Sequence, residues 1–326
     1  MKETIVTAEI IKGKVLENYF GYLKLFTPAQ SEFLSDLYKR YECLDRANIV
    51  LYFARKTHQS ILRKKEYDLN HDLSFEKFWD NHNEIVIESS TILNIAKNTS
   101  LPKETARRKL SELIKKKVFI KTKKNIIWKP TDEYKISYNQ IVEKEIRYLA
   151  KLTRYVLDTI GLDISTDEII REYKKKFSFY WFHYLDLQLK WMKLWKIQMH
   201  ELEIIMIYMH IASYLTSRVE ETVSHDEVFS KPDIINRPIK KNLNVSLSAT
   251  ALSDITGIPR ATCIRKLNLM ASRKIVSQDE NSKRYFINPD SLGKKGVSKE
   301  IVEKLQGLFS EFYLIVIRAL ISKNSN

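Results

Sequence analysis

Apolar residues recur at helical spacing along most of the chain. In residues 103–117, Ala106, Leu110 and Leu113 stand at i, i+4 and i+7, so they share one face of a helix. Residues 10–64 have the same kind of pattern and predict two or three helices. Seven glycines in 326 residues is about half the usual share, which favours long helices over a doubly wound sheet or a sandwich.

Short β-rich triplets interrupt the helical pattern twice. Residues 118–120 and 126–128 flank a cationic segment, and residues 275–277 and 285–287 flank a longer polar one. β-Branched and aromatic residues on both sides of a polar tip predict a hairpin. The chain is therefore expected to be mainly α with two small β-wings.

Each predicted hairpin follows two helices that are joined by a tight turn. Pro102 and Pro259 stand where the second helix begins, a position at which proline loses no hydrogen bond. Gly257 supplies the turn in the second pair, because a positive φ costs glycine nothing. These signals predict two helix-turn-helix segments.

A short strand and a helix cap are predicted ahead of each pair. Residues 84–88 alternate weakly between apolar and polar, and residues 244–246 form the corresponding triplet. Ser89 or Ser90 is predicted to cap the first helix of one pair, and Ser248 that of the other. The order strand, helix, turn, helix, hairpin is thus expected twice.

The segments outside these elements are simpler. Residues 65–82 are polar and charged and are predicted to form a loop. Residues 139–160 and 299–321 are amphipathic and predict a long closing helix after each hairpin.

The chain repeats itself. Residues 101–110 and 258–267 share Pro, Thr, Arg, Lys and Leu at an offset of 157, and residues 141–144 and 301–304 both read Ile-Val-Glu-Lys at an offset of 160. Matching blocks in the same order at nearly the same offset predict a tandem duplication of a unit of about half the chain.

The repeat predicts two domains and their boundaries. Unit one is expected to cover residues 1–163, with its helix-turn-helix and wing at about 84–130. Unit two is expected to cover residues 164–326, with the same elements at about 244–290. The predicted fold class is mainly α with small β-wings, in which two tandem duplicated winged-helix units form a pseudo-dimer.

Positive charge is concentrated in the same two segments. The whole chain has 55 Lys and Arg against 40 Asp and Glu, a formal charge of +15. Residues 103–124 contain ten basic and two acidic residues, and residues 260–284 contain seven basic and two acidic residues. Two basic patches on helix and hairpin positions indicate a polyanionic partner, most commonly nucleic acid.

Other chemistry is excluded by what the chain does not contain. Cys43 and Cys263 are 220 residues apart and form neither a metal-ligand spacing nor a disulfide framework. There is no glycine-rich phosphate loop and no nucleophile or zinc-protease motif, so neither an enzyme nor a cofactor is expected. The most apolar stretch, residues 204–215, is too short for a membrane span, and the N-terminus has acids where a signal peptide has an apolar run. A cytoplasmic location is expected.

The predicted element order identifies a resemblance. Each unit resembles the winged helix-turn-helix DNA-binding domain, and Gly-Ile-Pro-Arg-x-Thr-x-x-Arg-Lys-Leu at residues 257–267 looks like the turn and recognition helix of a bacterial regulator. The flanking helices make the unit similar to MarR-type transcription regulators. The resemblance implies a transcription regulator that binds double-stranded DNA and is associated with the nucleoid. Two units in one chain depart from the usual MarR dimer, which suggests a monomeric pseudo-dimer or a higher oligomer.

The resemblance also implies which residues meet DNA. A recognition helix in the major groove can offer arginine to guanine O6 and N7, and Arg108 and Arg265 occupy the same repeat position opposite the buried stripe. Base reading and phosphate contact both remain open for them. The predicted DNA-binding residues are Lys103, Glu104, Thr105, Arg107, Arg108, Lys121, Lys123, Lys124, Arg260, Thr262, Arg265, Lys266, Lys283 and Arg284.

Alternatives remain at this stage. Plasmid and phage replication initiators also have two winged helices in one basic chain, and winged helices in protein-interaction scaffolds bind protein instead of DNA. The aromatic residues at 177–195 are consistent with a core helix, with a pocket for a small-molecule effector or with stacking on single-stranded bases.

Overall fold

The computed structural model describes residues 6–84, 90–122, 126–219, 245–288 and 298–323. Within these ranges the chain forms thirteen helices and two two-stranded antiparallel hairpins. The prediction of a mainly α protein with small β elements is confirmed.

The first half of the fold begins with three helices and ends with a long one. Thr7 caps α1 by accepting a hydrogen bond from the backbone N–H of Ile10 at 3.3 Å. In chain order the elements of this half are α1 (Ala8–Glu17), α2 (Tyr19–Tyr41), α3 (Leu44–Tyr67), α4 (Phe78–Glu84), α5 (Ile92–Thr99), α6 (Lys103–Lys115), β1 (Phe119–Lys121), β2 (Ile126–Trp128) and α7 (Asp132–Thr159).

The second half has a similar order. Ser165 and Glu168 form a capping box at the start of α8. The elements are α8 (Thr166–Lys175), α9 (Phe177–Met199), α10 (Leu202–Val219), α11 (Ala249–Thr256), α12 (Arg260–Ser272), β3 (Val276–Gln278), β4 (Tyr285–Ile287) and α13 (Lys299–Lys323).

Elements at the repeat offset have equal lengths. Helices α2 and α9 both have 23 residues and begin 158 positions apart. Helices α6 and α12 both have 13 residues and begin 157 positions apart. These equal lengths and spacings agree with the predicted repeat outside the blocks with matching residues.

Left-handed backbone residues recur at the same offset. Ser100 ends α5 with φ 53°, and Gly257 ends α11 with φ 75°. Lys117 and Lys274, which lead from the second helix of each pair into its hairpin, have φ 58° and 57°. Positive φ is uncommon outside glycine, so its recurrence at one offset is a specific backbone feature.

The two halves pack reciprocally. Helix α2 packs against α10, and α3 against α9; likewise α1 packs against α13, and α7 against α8. Near the centre, Gln30 and Gln188, which are 158 positions apart, donate a hydrogen bond to each other at 2.9 and 3.0 Å. Both side chains are buried. The halves share one continuous core, so neither has a closed apolar interior of its own.

Several predicted elements differ from those observed. Part of the stretch predicted as loop, 65–82, is helical, because α3 continues to Tyr67 and α4 begins at Phe78. The cap of α5 is Thr91, so the prediction of Ser89 or Ser90 is wrong. The long helix predicted at 139–160 begins earlier, at Asp132.

The predicted short strands are only partly described. Residues 85–89 and Asn244 lie outside the described residues. Val245 and Ser246 do not form a strand, but Leu247 makes an isolated antiparallel bridge with Tyr285 of β4. Ser248 caps α11 as predicted, accepting from the N–H of Ala251 at 3.0 Å.

The aromatic segment lies in the core. Trp181 and Tyr184 of α9 are buried and bond to α7, where the Trp181 Nε1–H donates to the Tyr138 hydroxyl at 2.9 Å. The interpretation of this segment as a core helix that joins the two halves agrees with its position.

Among the described residues, one helix, α13, meets the length and composition criterion for a membrane span. The span Lys299–Ser322 is long and apolar enough to cross a membrane by length and composition alone. Core helices meet the same criterion, and Phe312, Val316 and Ile317 of α13 are buried inside the fold.

Candidate nucleic-acid interface

The first predicted helix-turn-helix corresponds to α5 and α6, which are built from a cap, a left-handed residue and a buried stripe. Thr91 accepts a hydrogen bond from a backbone N–H in the first turn of α5, and the left-handed Ser100 turns the chain towards α6. Helix α6 then buries Ala106, Leu110 and Leu113. This is the face that the hydrophobic spacing predicts, so the opposite face of α6 is directed to solvent.

Four of the predicted DNA-binding residues lie on the solvent face of α6. Lys103, Glu104, Arg107 and Arg108 are exposed, and Thr105 is half-buried. Arg107 and Glu104 form an exposed ion pair at 3.2 Å. Such a pair contributes little to stability, so both side chains can exchange it for an external partner.

The second helix-turn-helix presents its arginines in the same way. The buried face of α12 consists of Cys263, Lys266, Leu267 and Met270. Arg260 and Arg265 are exposed, and Thr262 is half-buried. Arg108 and Arg265 are each the sixth residue of a 13-residue helix. The two arginines therefore occupy the same surface position of corresponding helices.

Lys266 was predicted to contact DNA, but it is buried. Its side chain is 5% exposed and its ammonium group is hydrogen-bonded to Glu201, with Glu203 at 3.7 Å. Burial alone would raise the pKa of the Glu201 carboxyl, but the hydrogen bond and charge of Lys266 lower it. Lys266 ties α12 to α10 from within the fold, so it does not belong to a DNA-facing surface.

A corresponding network in the first half was also missed. Arg46 is buried and bonds to Glu112 and Glu42, both at 3.2 Å. Lys109, the counterpart of Lys266, lies 3.4 Å from Glu112. Glu42 also accepts from Lys116 at 2.9 Å, and this hydrogen bond lowers the pKa of the Glu42 carboxyl. These contacts neutralise part of the positive charge counted along the sequence.

The first wing is a regular hairpin with an exposed cation. Phe119 lies opposite Trp128, and both are buried. Lys121 is exposed at the end of β1 towards the tip. Lys123 and Lys124, predicted for the tip, lie outside the described residues.

The second wing has a tip shaped by Asp279. Its carboxylate accepts hydrogen bonds from the backbone N–H and the hydroxyl of Ser282 at 2.7 and 2.8 Å. The bond to the Ser282 N–H is the main cause that lowers the pKa of Asp279. Lys283, with φ 56°, and Arg284 follow, and both are exposed. The tip therefore presents two cations, as predicted.

The described residues contain no group of three or more His, Cys, Asp or Glu side chains that could hold a metal ion. No protein-family model matches the chain, and no curated protein or solved structure shows significant similarity to it.

Proposed function

We propose that the chain consists of two duplicated winged-helix units that form a single-chain pseudo-dimer and bind double-stranded DNA as a cytoplasmic transcription regulator. The observation that carries the proposal is the matched pair Arg108 and Arg265. Both are exposed at the same position of corresponding helices, and each helix is followed by a hairpin with an exposed cation.

In the proposed mechanism, one set of residues supplies affinity for the DNA backbone and another faces the base edges. Lys103, Arg260 and the wing cations neutralise phosphates and release counterions, which supplies affinity without sequence information. Helices α6 and α12 enter the major groove, where Arg108 and Arg265 face base edges or the flanking phosphates. Lys266 holds α12 to α10 and takes no part in contact with DNA, and Lys109 is paired with Glu112 of its own helix.

The pseudo-dimer is supported by the reciprocal packing of α2 with α10 and of α3 with α9. Homodimeric regulators place two identical recognition helices on two half-sites. A fused pair can place two different helices there, because each helix meets only its own half-site. We propose that this chain is such a fused pair, with α6 and α12 on different half-sites. We propose no catalytic activity and no required cofactor for it.

The salt dependence of binding tests this function. If the helices and wings contact roughly 6–10 phosphates, log K against log salt should fall with a slope of roughly −5 to −9 for a duplex of random sequence. Replacing Lys121, Lys123 and Lys124 together by alanine should weaken binding to all sequences about equally and flatten the slope. Fluorescence anisotropy across a salt series measures both quantities.

A matched variant controls for net charge. Lys151, Arg171 and Lys175 are exposed on α7 and α8, so their triple alanine variant loses the same charge outside the proposed interface. It should keep the wild-type slope. Duplex affinity that is indifferent to salt would contradict DNA binding and would favour a protein-interaction scaffold.

A further inference from the structure

Each half contacts the helix pair of the other half that precedes a wing. Helix α2 of the first half packs against α11 of the second, and α9 of the second half packs against α5 of the first. The end of α2 reaches the turn between α11 and α12, because a Cβ at Gly257 would lie 4.0 Å from Cδ1 of Tyr38. The turn that leads into α12 therefore packs on a residue of the other half.

Lys39, the next residue of α2, extends across the same turn. A Cβ at Gly257 would lie 3.4 Å from Cγ and 3.9 Å from Cε of Lys39, so the aliphatic stem of the lysine covers the turn. The residue is exposed, and among the described residues its ammonium group forms no ion pair. A lysine commonly packs its stem on the protein in this way while its charge stays in water. The charge of Lys39 is therefore free to meet an external anion.

Arg260 brings a second cation close to this turn. It is the first residue of α12, three positions after Gly257, and its Nε–H donates to the Thr250 hydroxyl at 3.0 Å. This bond holds the guanidinium group at the start of the helix, and the residue is exposed. Lys39 and Arg260 thus place cations from different halves of the chain beside one turn.

The first half has no corresponding addition. Helices α2 and α9 begin 158 positions apart, so Ile197 has the position of Lys39 in α9, and it is 60% exposed. Residues 103–124 already contain ten basic residues, whereas residues 260–284 contain seven, of which Lys266 is buried. Lys39 therefore adds positive charge beside the less basic of the two segments.

We infer that the DNA-binding surface of the second unit is composite, and that Lys39 of the first half contacts a backbone phosphate at the half-site of α12. A lysine ammonium is a compact point charge, which suits a phosphate better than the paired acceptors of a guanine edge. The second helix pair and its wing by themselves lack this contact. The inference rests on the proposed DNA binding and adds to it a residue outside both basic segments.

Replacing Lys39 by isoleucine, the residue at the corresponding position of α9, tests the inference on the full chain. Loss of one phosphate contact should flatten the slope of log K against log salt by about 0.9. The advantage of the wild type over the variant should then shrink roughly 3.5-fold between about 50 and 200 mM salt. Fluorescence anisotropy with a duplex of random sequence measures both quantities.

Two control variants separate the charge of Lys39 from its packing and from net charge. Lys39→Arg keeps a cation over the turn and should keep the wild-type slope. Lys151→Ile removes one exposed lysine from α7, outside the proposed surface, and should change the slope far less. Thermal unfolding shows which variants are folded. Lys39→Gln, which keeps part of the aliphatic stem, replaces Lys39→Ile if isoleucine disturbs the turn.

The outcomes distinguish this inference from the proposed function. A wild type that binds with a steep slope, together with an unchanged slope for the folded neutral variant of Lys39, would overturn the inference and leave DNA binding in place. Equal flattening by Lys151→Ile would also overturn it, because net charge alone would then explain the loss. A wild type that does not bind the duplex would contradict the proposed function itself, and the inference with it.

Discussion

Replacing Arg108 and Arg265 together by glutamate is expected to weaken duplex binding at least about 100-fold at moderate salt. In the proposed complex, each substitution removes a cation that faces a phosphate or a guanine and introduces a carboxylate that repels the DNA backbone. Both side chains are exposed, and the one ion pair given for them, Arg265 with Glu201 at 3.9 Å, is long and solvent-accessible, so stability should change little. Anisotropy titration of the double variant measures the loss, and thermal unfolding verifies the fold.

Two controls separate position from charge. Arg171→Glu with Lys175→Glu changes the net charge by the same amount on the exposed surface of α8 and should cost far less affinity. Lys266→Gln breaks the contact with Glu201 and should lower stability, while the folded protein keeps its affinity. An equal loss of affinity in the α8 variant would mean that general charge explains binding, contrary to the proposed interface.

Replacing Glu145 by glutamine is expected to remove a contribution that lowers stability as pH rises between about pH 5 and 8, whereas histidines whose pKa values burial lowers contribute in the opposite direction. Glu145 lies on α7 at the junction of the two halves, is 2% exposed and accepts a hydrogen bond from the Tyr184 hydroxyl of α9 at 2.6 Å. Burial is the main cause that raises its pKa from 4.5 to about 8, against the hydrogen bond from Tyr184.

The sign of the effect follows from which state holds the proton. Between the unfolded and the folded pKa, the folded chain keeps a proton on Glu145 that the unfolded chain has lost. The free energy of unfolding therefore falls as pH rises through this range, by up to about 1.4 kcal/mol per pH unit from this group. Glutamine does not titrate, so its contribution does not change with pH.

Urea unfolding at a series of pH values measures the slope. The control Glu143→Gln changes a carboxyl two residues away on the same helix, 44% exposed and 3.6 Å from Lys174, and should keep the wild-type slope. Wild type and Glu145→Gln with parallel slopes would mean that the buried carboxyl is not protonated in the folded chain at neutral pH.

Local patterns predicted the elements that depend on neighbouring residues. The stripe Ala106, Leu110 and Leu113 is the buried face of α6, and both hairpins form within one residue of the predicted triplets. Gly257 adopts the positive φ that its place in the turn requires. These features are set within a few residues along the chain, so the sequence pattern is sufficient to find them.

Features that depend on distant residues were missed. Helix α4 is short and polar in composition, and it is held by contacts of Phe78 with His58 and Phe177, which are far apart in the chain. In the sequence, Lys266 resembles a surface cation of a recognition helix. In the structure it is hydrogen-bonded to Glu201, which lies 65 positions earlier in the chain. Only the tertiary arrangement shows which charges are already paired.

The sequence blocks predicted a repeat but not how the two halves pack. Matching blocks covered a small part of each half, whereas the equal helix lengths and left-handed residues extend from α2 to the hairpins. The reciprocal packing that places Gln30 against Gln188 involves side chains outside those blocks. The contact between halves could not be predicted from periodicity, since helical spacing shows which face is buried but not against which partner.

Selection of duplexes from a random-sequence pool by the full-length protein tests the central claim most directly. The account predicts a bipartite site with half-sites about 10 base pairs apart, or a multiple of this spacing. The half-sites should be similar at the base pairs that Arg108 and Arg265 contact and should differ in the flanking bases. The difference is expected because Glu104 and Arg107 in α6 correspond to Ala261 and Ile264 in α12. Glu104→Ala should relax preference in one half-site only, by about 1–3 kcal/mol per contacted base pair. A fully palindromic site, an equal effect of Glu104→Ala on both halves, or no enrichment at all would contradict the account.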